Sequence, residues 1–284
     1  MEFYGRTDLA AEAHRLWQHN EELLSTCPGI RAEHEQLSGC SVSCVEILDE
    51  NGEALLHMPA GRYYTVSLPP LYHRSAPDFS SLVSAISALI RRCLPEAAPS
   101  TVLIVALGNP DITPDAVGPL AAQHILVTRH LKNNTMFHSF CSTSLCRTGV
   151  LGTTGMESAL QIRSLCSSIH PDCLIVIDAL AGVDPEGLCR SVQISDAGIA
   201  PGSGVGNDRE AISERSMGIP VVSIGVPTVV DAASLTQDDT VPSLFVTPRD
   251  IDVAVRQLGR LLGYGVNAAL HPSLSIADME LLLE

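Results

Sequence analysis

Apolar residues follow two rhythms along this chain, and from about residue 80 onward the two alternate. Leu82, Val83, Ile86, Leu89, Ile90 and Cys93 recur at three- and four-residue intervals. That spacing predicts a helix with a broad apolar face, with Asp78 as its N-cap. Val102–Leu107 (VLIVAL) is instead an unbroken apolar run, as in a parallel strand buried on both faces. It stops at the turn formers Gly108-Asn109-Pro110, and a helix is predicted over about 118–131 with Pro119 in its first turn. The unit then repeats. A glycine-rich stretch, 149–155, leads into a predicted helix at Met156–Ile169, followed by a second buried strand at Cys173–Ile177. Ser191–Ser195 and Ile219–Val226 read as a third and a fourth strand. The last helix is predicted from Thr247-Pro248, with Gly263 and Gly265 dividing it in two. Strands alternating with helices predict an α/β fold in three layers, a mostly parallel sheet with helices on both faces.

Before residue 80 the pattern is different. Leu9, Ala13, Leu16 and Trp17 have helical spacing, and Cys27–Gly39 reads as a polar loop. Ser41–Met58 alternates like a hairpin turning at Asn51-Gly52, and Arg62–Leu68 is a further strand. A β-rich N-terminal hairpin region over 40–68 is therefore expected within a single domain, 1–284.

Composition narrows the function classes. An apolar fraction of 45% and a mean hydropathy of +0.21 allow a sizeable core. A net charge of −15 argues against direct nucleic-acid or anionic-membrane binding, and 4% aromatic residues leave little for base stacking. No apolar run approaches the ~20 residues of a membrane span, and the first ten residues lack a signal-peptide core. A soluble cytoplasmic protein is expected. Nine cysteines without regular spacing predict no disulfide framework. Cys40 and Cys44 lack the second pair of ligands that zinc needs, and no HExxH is present, so no metal or cofactor is expected.

Candidate chemistry collects at strand ends. Asp115 follows the first buried strand, where ligands bind in open α/β sheets; alone, it reads equally well as a helix cap. Asp178 ends the second buried strand directly, which suggests a paired-carboxylate site. Asp111 reads as a turn residue, and Asp231 is a third acidic side chain just beyond a strand. The loop at 149–155 lacks the P-loop and dinucleotide-binding patterns, so substrate approach or tight packing is preferred to phosphate binding. The glycine-dense stretch Asp196–Asn207 reads as a substrate-binding loop. Gly202-Ser203-Gly204 lacks the flanks of a nucleophile elbow.

These segments together resemble a known family. Arg6–Ala10 (RTDLA), Gly61–Tyr63, 105–119 (VALGNPDITPDAVGP), 149–158 (GVLGTTGMES), 177–180 (IDAL), 193–207 (QISDAGIAPGSGVGN), 218–232 (GIPVVSIGVPTVVDA) and 246–271 occur in the order found in the bacterial germination proteases. The resemblance covers most of the chain. It implies an endopeptidase that degrades small acid-soluble spore proteins, in a fold shared with hydrogenase maturation proteases. It places the two essential aspartates of an atypical aspartic protease on Asp115 and Asp178. It also implies a zymogen in the spore core, a homotetramer, and a short propeptide (1–8) cut at Asp8-Leu9. Gly108, Asn109, Gly152, Thr153, Gly202 and Gly204 are the backbone candidates for substrate or oxyanion contacts. The chain departs from the family at Gly182-Val183, where Ala-Arg is usual, and in a shortened segment before residue 246. Those departures leave as one alternative a catalytically silent binding or regulatory relative; the fold shared with hydrogenase maturation proteases leaves another, a metal-dependent maturation-type protease.

Overall fold

The computed structural model describes residues 7–20, 29–69, 76–206, 209–236 and 244–283. The chain begins α1 (Ala10–Asn20), β1 (Ile30–Leu37), β2 (Cys40–Ile47), α2 (Glu50–Leu56), β3 (Gly61–Ser67), α3 (Ala76–Cys93) and β4 (Thr101–Leu107). It continues α4 (Val117–Ala121), β5 (Ser142–Gly149), α5 (Leu151–Thr154), α6 (Ser158–Ile169), β6 (Cys173–Gly182) and β7 (Ser191–Ser195). Then come α7 (Glu214–Met217), β8 (Val221–Asp231), α8 (Ala232–Thr236), β9 (Phe245–Val246), α9 (Ile251–Leu270) and α10 (Ile276–Leu283).

Among the described residues the strands form one sheet in the order β1-β2-β3-β7-β8-β6-β4-β5, and β9 pairs with the end of β8. The pairs β5–β4, β4–β6 and β6–β8 are parallel and make the heart of the sheet. The N-terminal strands add to it antiparallel, through β3–β7 and β7–β8. Helices cover both faces, as the alternation predicts.

The unbroken apolar strands are explained by that burial. Ile104, Ile175 and Ile177 pack into one core with α3, α4 and α9. Their alternating neighbours Leu103, Val105, Leu174 and Val176 pack into another with α6. A smaller cluster joins Ala10 and Ala13 of α1 to Val45, Ile47 and Tyr63.

Several boundaries differ from the expectation, each for a physical reason. The hairpin exists, but its arms are β1 and β2 and its turn is Ser38-Gly39, both with positive φ (52° and 81°), as a two-residue primed turn requires. Residues 30–37, expected as loop, are therefore a strand. Asn51-Gly52 lies in α2 instead, because the Asp49 carboxylate accepts both of its N–H groups as an N-cap. The helix expected to reach residue 131 stops early. Asn267 of α9 accepts the Leu126 N–H at 2.9 Å and donates to the His124 carbonyl at 2.8 Å, which holds that stretch extended. Residues 142–148, unassigned from the sequence, and Gly149, read as the start of a glycine-rich loop, form the edge strand β5. Helix α3 begins at Ala76, so Asp78 lies inside it. Helix α9 begins at Ile251 rather than Thr247, whose hydroxyl donates to the Thr228 carbonyl at 3.0 Å.

Nor is α9 divided. It runs 20 residues, and its glycines serve helix packing: a Cβ at Gly263 would lie 2.5 Å from that of His124. Expectations for residues 1–6, 21–28, 207–208 and 237–243, and for the side chains of Trp17 and Asp78, fall outside the described residues.

Candidate active site

Strand β4 is flanked by β5 on one side and β6 on the other, so the chain winds away from it in both directions. Beyond the carboxyl end of such a strand the loops part and leave a crevice. Leu107 and Gly108 lead into a single 3-10 turn, Thr113–Asp115, which hangs Asp115 in that crevice. Two glycines permit it. Gly108 has φ +104°, and its Cβ would lie 2.0 Å from the Asp115 carbonyl oxygen. A Cβ on Gly118 would lie 2.2 Å from the Leu107 carbonyl and 2.8 Å from that of Ile177, so the start of α4 presses on the ends of both strands.

Asp178 arrives from β6, one residue past the last β4–β6 pair, Ala106↔Ile177. Both carboxyls line one cleft of about 320 Å³, with Gly149–Leu151, Pro201-Gly202, Arg209, Thr228 and Phe245 among its other walls. The two environments differ. Asp178 is 5% exposed. Burial, then the nearby charge of Asp115, then that of Asp8, push its pKa well above the ordinary carboxylate value, against one N–H bond from Ala179. Asp115 is half-buried; burial raises its pKa too, but the Asn109 N–H, 2.8 Å from its Oδ2, favours its charged form. Both carboxyls are thus pushed toward their protonated forms, Asp178 the more strongly.

A third carboxylate, Asp8, enters the same cleft from the N-terminal segment. The end of β6 extends past β4, and Asp8 lies along it, its N–H donating to the Ala181 carbonyl at 3.0 Å. Its side chain accepts the Ala181 N–H at 2.9 Å and the Ser203 hydroxyl at 2.7 Å. Burial raises its pKa first, and the bonds from Ser203, Ala181 and Gly204 offset part of that. Gln193 of β7 completes the grip, donating to the Asp8 carbonyl at 2.9 Å and accepting the Ala10 N–H at 2.8 Å. Glu12 of α1 is also buried; burial raises its pKa against bonds from the Thr7 hydroxyl and the Val183 N–H, both to its Oε2. Val183 meets Glu12 through its backbone N–H.

Of the residues singled out from the sequence, Asp115, Asp178, Asp8, Gly108 and Gly202 meet in the cleft. Asn109 reaches it through its N–H. Gly204 abuts the Asp8 carboxylate, which a Cβ there would meet at 2.4 Å. Gly152 and Thr153 are exposed in α5 and are not among the cleft walls, which there are Gly149, Val150 and Leu151. Leu9 is buried, next to the apolar N-terminal cluster. Asp111 is exposed in the turn, and Asp231 accepts the Ala233 N–H to start α8. Sequence reasoning missed Gln193. The available signal was a lone amide in SVQIS, a strand otherwise buried at every position after its first. Among the described residues no group of three His, Cys, Asp or Glu side chains is placed to hold a metal ion, and no helix is long and apolar enough to cross a membrane.

The family model described as germination protease matches residues 8–242. The germination protease of Caldanaerobacter subterraneus subsp. tengcongensis is 35% identical, over 98% of both chains. That of Clostridium perfringens is 33% identical, over 96% of this chain and 97% of its own. That of Bacillus cereus is 39% identical, over 82% of this chain and 65% of its own. Among solved structures, a NiFe hydrogenase maturation protease, HycI, from Thermococcus kodakarensis aligns over 60% of this chain and 95% of its own, at 17% identity and a TM-score of 0.36.

Proposed function

This chain belongs to the germination protease family and is a peptidase, and on that premise we propose that it hydrolyses small acid-soluble spore proteins during spore germination with Asp115 and Asp178 as its catalytic pair. The observation that carries this reading is the meeting of two carboxyls in one cleft, Asp178 buried and pushed well above the ordinary carboxylate value, Asp115 less buried and raised too, against the N–H of Asn109. Two carboxyls so close cannot both be charged cheaply, and they titrate as a unit. Asp115 takes the base role and Asp178 the acid role. Water loses a proton to Asp115 as its oxygen bonds to the scissile carbonyl carbon, and Asp178 donates to the carbonyl oxygen. As the tetrahedral intermediate collapses, the C–N bond breaks, the proton held by Asp115 leaves on the amine, and the hydroxyl protonated by Asp178 returns that proton to it as the C=O bond re-forms. A new acid and a new amine result, with the pair restored.

The family resemblance further supports self-cleavage at Asp8-Leu9, a homotetramer and a spore-core location. The lie of Asp8 in the cleft supports the first of these. Asp115→Asn and Asp178→Asn, made separately and checked for folding by circular dichroism, are each expected to slow cleavage of a purified small acid-soluble spore protein by about 10²–10⁴-fold. Full cleavage by both variants, read on a gel, would show the mechanism to be wrong.

A further inference from the structure

The grip on Asp8 engages its whole residue. Its N–H meets Ala181, its carboxylate meets Ser203 and the Ala181 N–H, and its carbonyl meets Gln193. The first two contacts hold a main chain and a side chain in place. The third lands on the carbonyl of the Asp8-Leu9 peptide group.

Gln193 is well placed to make that contact and to keep making it. It lies in register with Gly225 of β8, and Gly225 lies in register with Asp178 of β6. Gln193 and Asp178 therefore stand on the same face, two strand spacings or roughly 10 Å apart, on either side of a residue with no side chain. The Leu180 side chain lies over Gly225 in that interval, and Asp8 and Leu180 line both the catalytic cleft and a larger neighbouring one of about 1100 Å³ that includes Gln193. The amide of Gln193 is 7% exposed, and its two ends act separately. Oε1 holds the first N–H of α1, while Nε2 points to the carbonyl.

We infer that Gln193 is a further catalytic residue, whose Nε2 donates to the carbonyl of the bond being cut and stabilises the oxygen as it gains charge. The inference rests on the peptidase reading above and deepens it. The 2.9 Å bond shows that Nε2 already reaches the carbonyl oxygen on which charge would develop. Once the chain is cut after Asp8, Oε1 still holds Ala10 while Nε2 is freed for the carbonyl of an incoming substrate. Gln193 thus works by the same contact in self-cleavage and on another chain.

The substitution that separates this role from a structural one is Gln193→Glu. It keeps the size and the acceptor for Ala10 but turns the donor into a carboxylate oxygen at neutral pH. When protonated, the same group donates again. Gln193→Met removes both contacts. Full-length wild type, Q193E, Q193M and D178N are compared at pH 4 to 8 by mass spectrometry. The readouts are release of residues 1–8 and cleavage of a synthetic peptide carrying residues 3–14 of this chain. The titratable groups around it, Asp8, Glu53, His57, Asp196, Glu214 and Arg215 in the same cleft and Asp115 and Asp178 in the next, are common to wild type and Q193E, so the ratio of their rates isolates position 193.

Near pH 8, Q193E is expected to be about 10²–10³-fold slower than wild type, chiefly in kcat on the peptide. That gap narrows severalfold toward pH 4, whereas Q193M stays slow throughout. If Q193E cleaves at the wild-type rate, or is slowed equally at every pH, the role of Gln193 falls while an inactive D178N leaves the peptidase reading intact. If D178N cleaves like wild type, or wild type never cuts the Asp-Leu bond, the underlying reading falls as well. If Q193M fails to fold, Q193E alone decides, because it retains the contact to α1.

Discussion

The carboxyl of Asp178 is 5% exposed within the central strand β6, beside Asp115 and within reach of the charge on Asp8, and each of these circumstances favours its proton. That preference is also a statement about stability. A carboxyl whose folded pKa lies above its unfolded one contributes stability that is fully present below the ordinary carboxylate range. The contribution is lost as pH rises through the raised folded value. Asp178→Asn keeps an acceptor for the Ala179 N–H but cannot ionise. It is expected to raise the melting temperature at pH 8 and to change it little at pH 4. Calorimetry at the two pH values measures this, and equal shifts at both would mean that Asp178 is ionised in the folded protein. Burial, then, is what makes this residue both reactive and costly, and the sequence offered only its place after an apolar run. The resemblance singled out both aspartates; which one keeps its proton depends on solvent exclusion and on Asn109, neither of which sequence spacing expresses.

At the scale of elements, α9 shows where local preference misleads. Counted by propensity, glycine inside a helix costs about 1 kcal/mol relative to alanine, which is why Gly263 and Gly265 argued for a break. The helix is continuous because Gly259 and Gly263 let it settle onto Leu120, Ala121 and His124, while Gly265 meets Ile86 of α3. Gly263→Ala is accordingly expected to destabilise the protein despite the better helix former. Overpacking costs about 1–3 kcal/mol, and the new Cβ would meet backbone oxygens at 2.9 and 3.0 Å. Urea unfolding reads the result as a lower midpoint at unchanged slope; a higher midpoint would mean that α4 yields to the new methyl. The Asn51-Gly52 pair misled in the same way, since the hairpin preference of those two residues lost to the cap that Asp49 supplies.

Over the whole molecule, 32 acidic and 17 basic side chains leave a net charge of −15. Ion pairs such as Arg31–Glu46 (3.0 Å) and Arg256–Asp252 (2.8 Å) are exposed, and pairs of that kind contribute about 0–1 kcal/mol each. The net repulsion is spread more widely and is screened over about 10 Å at 0.1 M salt. Raising sodium chloride from about 0.02 to 0.3 M at pH 8 is therefore expected to raise the melting temperature, and a fall would mean that the pairs outweigh the repulsion. The sequence by itself determined the buried strands, the helices that cover them and the delivery of Asp115 and Asp178 to one edge of a sheet, because apolar periodicity and turn chemistry are local properties. Only the tertiary structure decided that β4 is the point where the sheet winds both ways. It also brought Asp8, 170 residues before Asp178, into their cleft and set Gln193 on the Asp8 carbonyl. Those contacts join distant parts of the chain through strand order and register, which no local pattern encodes.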